Sequence, residues 1–286
     1  MRNNLRVLLI LLAAFLLATG CRKFDPKPAP PKKVIPVLEQ SFVNLGTHNL
    51  GAYSIIKNSK YLVVFESGLN GDHTAWDIWE KNNIAPIISD SMDVVTYDRG
   101  GMGASQNGPV PRDINRLQSE LGSIIDAFAN GRKIILIGHS LGGFIIRDWA
   151  IKNPTRVAGL LFVDSSHEDC SQLTQADQDV FYNSWLTAYG ATYGATLEAK
   201  EWKNDVDYMG TVENLPDVPV IVLTAMQLDA TNSAAFRQEW YAAHESLKDG
   251  VTDFTHISMP NSGHLVMIDA PQIVINYINV LLAKLP

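Results

Sequence analysis

The segment Ile134-Ile135-Leu136-Ile137-Gly138-His139-Ser140-Leu141-Gly142-Gly143-Phe144 decides the reading of this chain, because it sets a G-x-S-x-G pentapeptide between an apolar run and a helical pattern. The pentapeptide alone is a weak signal; a strand before it and a helix after it require a tight strand-to-helix turn, which makes it a strong one. Such a turn forces Ser140 into a strained backbone conformation, and Gly138 and Gly142 remove β-carbons that would collide with neighbouring elements. The hydroxyl is then lifted above a sheet. It also stands at a helix start, where unpaired backbone N–H groups favour developing negative charge. Ser140 is therefore the candidate nucleophile.

Working outward, Tyr61 to Phe65 is a continuous apolar run, and the same signature returns at Met92 to Tyr97, Lys133 to Ile137, Val157 to Val163, Val218 to Leu223 and, more weakly, Phe254 to Met259. Runs without polar alternation belong to strands buried on both faces, as a parallel sheet requires. Helical patterns lie between them at Thr74 to Ile88, Arg112 to Ala129, Leu141 to Lys152, Ala234 to Leu247 and Pro271 to Leu285. Regular alternation predicts an α/β fold with a mostly parallel sheet flanked by helices on both faces. Before the first buried strand, Ser41 to Ile56 alternates polar and apolar around Thr47-His48-Asn49, the pattern of a hairpin at an exposed sheet edge. From about 165 to 216 no buried strand is legible, yet Leu173 to Tyr189 and Ala195 to Asp207 read as helices carrying Trp185, Tyr189, Trp202 and Tyr208. That stretch is too long for a bare connection and predicts a small helical cap over the carboxyl edge of the sheet.

The N-terminus has a different character. Arg2 and Arg6 precede an apolar run, Val7 to Leu17, and Ala18-Thr19-Gly20 precede Cys21, which reads as an export signal over residues 1–20. The run is too short for a bilayer-spanning helix. From Arg22 to Pro36 the chain turns to Lys and Pro, a composition that favours an extended spacer, so residues 21–37 are expected to form a tether and 38–286 the folded domain. The formal charge is −7 and more negative once Arg2 and Arg6 are removed, which argues against a nucleic-acid partner. With two cysteines, Cys21 and Cys170, the fold must rest on packing.

An alcohol is a poor nucleophile until a base takes its proton. Of the seven histidines, His139 is inside the turn motif, His48 in the hairpin, His73 in an early loop, His167 after a strand, and His244 and His256 in a helix and a strand. His264 follows the strand ending near Met259, sits in Pro260-Asn261-Ser262-Gly263-His264 and precedes the last helix, a position from which a loop can aim an imidazole at Ser140. It is the candidate general base.

At this point the chain resembles the α/β-hydrolase superfamily from about Val43 to Leu282, through four motifs in the family's order. These are Gly68-Leu69-Asn70-Gly71, Tyr97-Asp98-Arg99-Gly100-Gly101-Met102-Gly103-Ala104-Ser105, the Ser140 turn, and Ser262-Gly263-His264 running on to Pro271. The resemblance implies an oxyanion loop at Gly68 and Leu69, with the backbone N–H groups of Leu69 and Leu141 as donors. Where many relatives carry His-Gly, this chain has Ser67-Gly68 preceded by Glu66, so the support of that loop is expected to differ; the Asp98-Arg99 turn is expected to brace loops beside the site. For the acid that orients His264 two positions stay open. Asp229 lies in the loop after Val220 to Leu223, one residue later than the family's usual spacing, and Asp164 ends the preceding strand. The Val163-Asp164-Ser165-Ser166-His167-Glu168 stretch and the Trp240 region resemble a subgroup that uses the earlier position.

The expected chemistry is acyl transfer from an ester-like bond of a small, partly apolar substrate, with no metal or organic cofactor. Carboxylate-nucleophile relatives are disfavoured by Ser140; a ligand-binding receptor with little turnover, a cofactor-free lyase and an acyltransferase remain as alternatives. The N-terminus resembles a bacterial lipoprotein signal, which implies a lipidated Cys21 holding the protein to a bilayer in the cell envelope. Oligomeric state is not legible.

Overall fold

The apolar runs assemble into an eight-stranded sheet. In the computed structural model, which describes residues 34–77, 82–229 and 232–286, the strands are β1 (Glu39–Asn44), β2 (Asn49–Ile55), β3 (Leu62–Glu66), β4 (Asp93–Tyr97), β5 (Ile134–His139), β6 (Val157–Val163), β7 (Val220–Ala225) and β8 (Phe254–Met259). Their order is β1-β2-β4-β3-β5-β6-β7-β8. Edge strand β1 pairs antiparallel with β2, β2 pairs antiparallel with β4, and all remaining pairs are parallel. Every residue of β3 to β7 is buried, whereas at the two edges β1 is largely exposed and β8 mostly half-buried.

Residues alternate between two cores, one on each side of the sheet. Leu62, Val64, Leu136, Leu160 and Val222 face α2 (Ile114–Ala129) and α3 (Leu141–Lys152), where Leu117, Leu121, Phe144 and Trp149 meet them. Val63, Phe65, Ile137, Leu161 and Ile221 face α1 (Ile84–Ile88) and α9 (Pro271–Lys284), against Ile84, Ile88, Val274 and Ile278. Each such side chain contributes roughly 1.5–3 kcal/mol on leaving water, so the sandwich anchors the strand ends on which the loops stand.

Between β6 and β7 lie α4 (Glu168–Ser171), α5 (Gln175–Tyr189) and α6 (Gly194–Met209). Thr174 and Asp177 close a capping box at the start of α5. The buried Gln178 stitches α5 to α6, donating to Ala199 O at 2.9 Å and accepting from Lys203 N at 3.0 Å. After β7 comes α7 (Ala234–Ser246), and α8 (Val266–Asp269) precedes α9.

The single helix expected over Thr74 to Ile88 is not what forms. A short 3-10 turn at His73–Ala75 starts on the Asp72 carboxylate, and α1 begins only after Asn83, whose φ of 47° reverses the chain. Pro86, which lacks an N–H, is tolerated because it falls in the first turn of α1. The export signal, Cys21 and the tether up to residue 33 lie outside the described residues. Among the described residues no helix is long and apolar enough to cross a membrane.

Candidate active site

The strand-to-helix turn has the strain that its sequence demands. Ser140 sits at φ 52°, ψ −123°, and α3 starts at the next residue. Its carbonyl accepts from Gly143 N and Ser166 N, both at 2.9 Å, tying the turn to the chain leaving β6. A β-carbon on Gly142 would lie 2.5 Å from Glu66 O and 2.8 Å from Ser67 O, so the start of α3 packs directly on the end of β3. A β-carbon on Gly68 would lie 2.8 Å from His139 Nδ1 and 3.0 Å from Ser140 Cβ, which brings the Gly68-Leu69 loop against the turn. Among the described residues nothing accepts from the N–H of Leu69 or of Leu141, so both expected oxyanion donors are available.

His264 stands in the loop between β8 and α8, held by Gln227 N donating to Ser262 O at 3.1 Å and Gly263 N donating to Asp269 at 2.7 Å. Its Nδ1–H donates to Asp164 Oδ2 at 2.6 Å. Asp164 ends β6 with φ 41°, a left-handed conformation that its neighbours must enforce. Oδ1 accepts from Ala225 N at 2.9 Å and Trp240 Nε1 at 3.0 Å, and Arg237 approaches Oδ2 at 3.7 Å. Burial alone would raise this carboxyl, but the bond from His264, its charge and that of His244 hold it below the usual carboxylate range. Of the two open candidates, then, the structure brings Asp164 to His264. Asp229 is not the partner: its carboxylate accepts from Asn232 N and Nδ2 within its own loop, at 2.8 and 2.7 Å. The physical reason is the short reach from the end of β6, whose register with β7 sets Asp164 beside Ala225 and beneath the β8–α8 loop.

Ser140 and His264 line one cavity of about 420 Å³ together with Leu69, Phe181, Trp202 and Trp240. No hydrogen bond joins Ser140 Oγ to the ring in this arrangement; without substrate such bonds are commonly loose and tighten on binding. A larger cavity, about 690 Å³, lies between β8 and α9, lined by Ile257, Met259, Ile273, Tyr277 and Val280 with Asp269, and has no nucleophile-base pair.

Three features were not read from the sequence. His139, assigned only to the turn, donates from Nε2 to His264 O at 2.9 Å, and its ring lies 4.7 Å from that of His264. Burial, then the charge of His264, pushes His139 down to about 3, so it is a neutral support. Arg237 and Trp240 of α7 hold the acid. The third feature is a buried charge network behind the oxyanion loop. Arg99 donates to Ser67 O at 2.6 Å, Gly68 O at 2.8 Å and Glu66 at 2.7 Å, and pairs with both oxygens of Glu198 from α6 at 2.9 Å. Arg112 pairs with both oxygens of Glu120 at 2.9 Å and approaches Glu198 at 3.5 Å. Burial pushes Glu66 up to about 7 against the opposing pull of Arg99.

Asp72, His73 and Asp98 bring one ligand atom each within 4.8 Å of one another. Each is committed to building the turn: Asp98 accepts from His73 N and Nδ1 at 2.9 and 2.8 Å, from Ala104 N at 2.8 Å and from Tyr53 at 3.1 Å, and Asp72 accepts from Thr74 N at 2.9 Å. The Asp98 half of the Asp98-Arg99 turn thus shapes the loop, and the Arg99 half reaches the site.

The family described as alpha/beta hydrolase fold matches residues 61–189. An uncharacterized Bacillus subtilis protein, YqjL, is 26% identical over 221 residues, 76% of this chain and 81% of its own length. The human (lyso)-N-acylphosphatidylethanolamine lipase is 39% identical over 72 residues, 24% of this chain and 21% of the lipase. Among solved structures, a thermophilic esterase from Thermogutta terrifontis superposes with a TM-score of 0.67 at 17% identity, over 86% of this chain and 98% of the esterase. A hydrolase from Pseudomonas aeruginosa does so with a TM-score of 0.64 at 18% identity, over 85% of this chain and 98% of that one.

Proposed function

From the premise that the chain belongs to the α/β-hydrolase superfamily, with hydrolysis the chemistry that fold and family support, we propose that it is a serine hydrolase acting on an ester-like bond through an acyl-enzyme. Ser140 is the nucleophile, His264 the general base and then acid, and Asp164 the carboxylate that orients and stabilises the imidazolium. The observation that carries the reading is the 2.6 Å bond from His264 Nδ1 to Asp164, which directs the other ring nitrogen to the cavity that Ser140 lines.

His264 Nε2 takes the Ser140 proton as Oγ bonds to the substrate carbonyl carbon. The N–H groups of Leu69 and Leu141 receive the oxyanion, and His264 gives the proton to the departing alcohol as the C–O bond breaks. Water, deprotonated by the same nitrogen, then attacks the acyl-enzyme and releases the acid and free Ser140. No step draws on a metal or organic cofactor. The cavity lining carries Leu69, Leu173, Phe181 and Trp202 and no Lys or Arg, which supports an uncharged, partly apolar acyl or alcohol group as substrate.

The test is covalent labelling of Ser140 by a fluorophosphonate, lost in Ser140→Ala, with burst and steady turnover of p-nitrophenyl acetate; a chain that is not labelled is not a serine hydrolase. Tight ligand binding with negligible turnover would instead identify a receptor. A panel of esters, amides and lactones then sorts the bond type. For the N-terminus, the proposal is export and lipidation at Cys21, where several acyl chains at about 0.8 kcal/mol per buried methylene give stable attachment to a bilayer. Cys21→Ser should release the protein from membranes, and a membrane-bound Cys21→Ser variant would refute lipidation at this residue.

A further inference from the structure

Arg99 touches one peptide unit whose position gives it a consequence. The carbonyl that accepts from Arg99 Nη2 at 2.8 Å is that of Gly68. That C=O and the N–H of Leu69 belong to the same planar amide, so whatever holds the oxygen also sets the direction of the N–H. Arg99 is fully buried, its guanidinium reaches the preceding carbonyl, Ser67 O, as well, and its remaining donors are taken by Glu66 and by the two oxygens of Glu198. A planar fork held on both sides in this way has little freedom to rotate.

We propose that Arg99 is a positioning residue for the oxyanion hole: it orients and polarises the Gly68–Leu69 amide, and Glu198 of the cap supplies the carboxylate that holds the guanidinium in place. The inference rests on the serine-hydrolase reading for its catalytic meaning, though not for its structural content. A cationic donor on the carbonyl oxygen draws electron density from the amide nitrogen and makes the N–H a stronger donor, because hydrogen bonds in series reinforce one another in a low-dielectric interior. No bond is made or broken. The amide is prepared before substrate arrives, which is the property that makes backbone donors effective.

Asn70 adds a second tie between the same loop and the cap, since Tyr193 Oη donates to Asn70 Oδ1 at 2.7 Å. Loop and cap are thus joined through the buried Arg99–Glu198 pair and, nearer the rim, through neutral bonds between Asn70 and the hydroxyls of Tyr189 and Tyr193. The donor on the sheet side of the hole is set in part by a segment from the other side of the cavity.

The experiment compares the wild type with Arg99→Lys, which keeps the charge but cannot span Gly68 O, Ser67 O and both carboxylates. The Leu69 amide resonance, in protein labelled with ¹⁵N-leucine and assigned by its absence in Leu69→Ile, is expected to move upfield while that of Leu141 stays. With a p-nitrophenyl ester, kcat is expected to fall about 10- to 100-fold, less than loss of a donor outright, with KM within about threefold. Affinity for a trifluoromethyl ketone, whose adduct places an oxyanion in the hole, should fall in parallel with kcat/KM. If Arg99→Lys does not fold, Glu198→Gln carries the same three readouts in the same direction with a smaller amplitude. An unmoved Leu69 resonance with unchanged ketone affinity in a folded variant overturns the inference. A wild type that no fluorophosphonate labels overturns the hydrolase reading instead, and the resonance still decides whether Arg99 governs the amide.

Discussion

Replacing Asp164 by Asn gives a quantitative test of the triad. The side chain is fully buried and makes three hydrogen bonds, accepting at Oδ1 from Ala225 N and Trp240 Nε1 and at Oδ2 from His264 Nδ1. An amide can reproduce two of them. With its oxygen at the Oδ1 position it keeps both fixed donors satisfied, and its NH₂ group then faces His264. The flipped rotamer would set that NH₂ against two N–H groups. In the favoured orientation the amide donates to Nδ1, which moves the ring proton to Nε2 and leaves no lone pair there to receive a proton from Ser140. The wrong tautomer, together with the lost carboxylate charge, is worth about 10⁴ in kcat, or about 5 kcal/mol of transition-state stabilisation. Asp229→Asn, at a loop carboxylate engaged with Asn232, should leave kcat within about twofold, the scale of a surface substitution. Initial rates on a p-nitrophenyl ester, with active sites counted by fluorophosphonate labelling and folding checked by thermal melts, separate the two. A folded Asp164→Asn variant that keeps more than a tenth of wild-type kcat would refute the assignment.

Other consequences are equally direct. Gly68→Ala inserts a methyl 2.8 Å from His139 and 3.0 Å from Ser140 Cβ; the oxyanion loop must retreat, and kcat should drop about 10- to 100-fold with little change in KM. Asp93 accepts from the N–H groups of Lys57, Asn58 and Ser59 and pairs with Arg132, and although burial opposes it these bonds lower its carboxyl to about 2. Its contribution, about 2 kcal/mol, is present above the ordinary carboxylate range and is lost as pH falls through about 2; an acid melt of Asp93→Asn should lack that segment. Glu66 has the opposite sign: burial raises it to about 7, so its stability is fullest below the ordinary carboxylate value and declines as pH climbs through 7. Glu66→Gln should flatten the thermal-melt profile between pH 5 and about 8, and an unchanged slope would place the titration elsewhere.

The sequence made legible whatever depends on local pattern. Strand and helix positions, the Ser140 turn and the His264 loop follow from apolar runs, glycine spacing and a helix-starting Pro271, and the structure differs at element ends by a residue or two. The choice of acid was only half legible: the stretch from Val163 to Glu168 and the Trp240 region leaned toward Asp164, but the decision depends on which strand end lies beneath the His264 loop. The positive φ of Asp164 and the contact with Trp240 exist only after β6 and β7 are in register. Glu198 was equally hidden. Nothing along the cap helix distinguishes it from Glu201; only the fold carries one carboxylate to Arg99 and leaves the other at the surface side. The expected helix over Thr74 to Ile88 failed for a local reason, the reversal at Asn83, which apolar periodicity does not register.

The link between Glu198 and Arg99 bears on how this fold can diversify. Helices α4 to α6 leave the sheet after one strand and return before the next, the topology of an interchangeable module, and trading that segment between relatives would be the obvious route to new substrate preferences. Here the module also carries one of two carboxylates paired with a cation lodged behind the Gly68-Leu69 loop. A chimera that omits the carboxylate would leave that cation with Glu66 as its one remaining carboxylate partner among the described residues, and on the proposed reading would loosen the Gly68–Leu69 amide whatever its new walls accept. Transplants that keep an acid at this one place should retain the loop's support, while cap residues of the cavity lining such as Phe181 and Trp202 can vary.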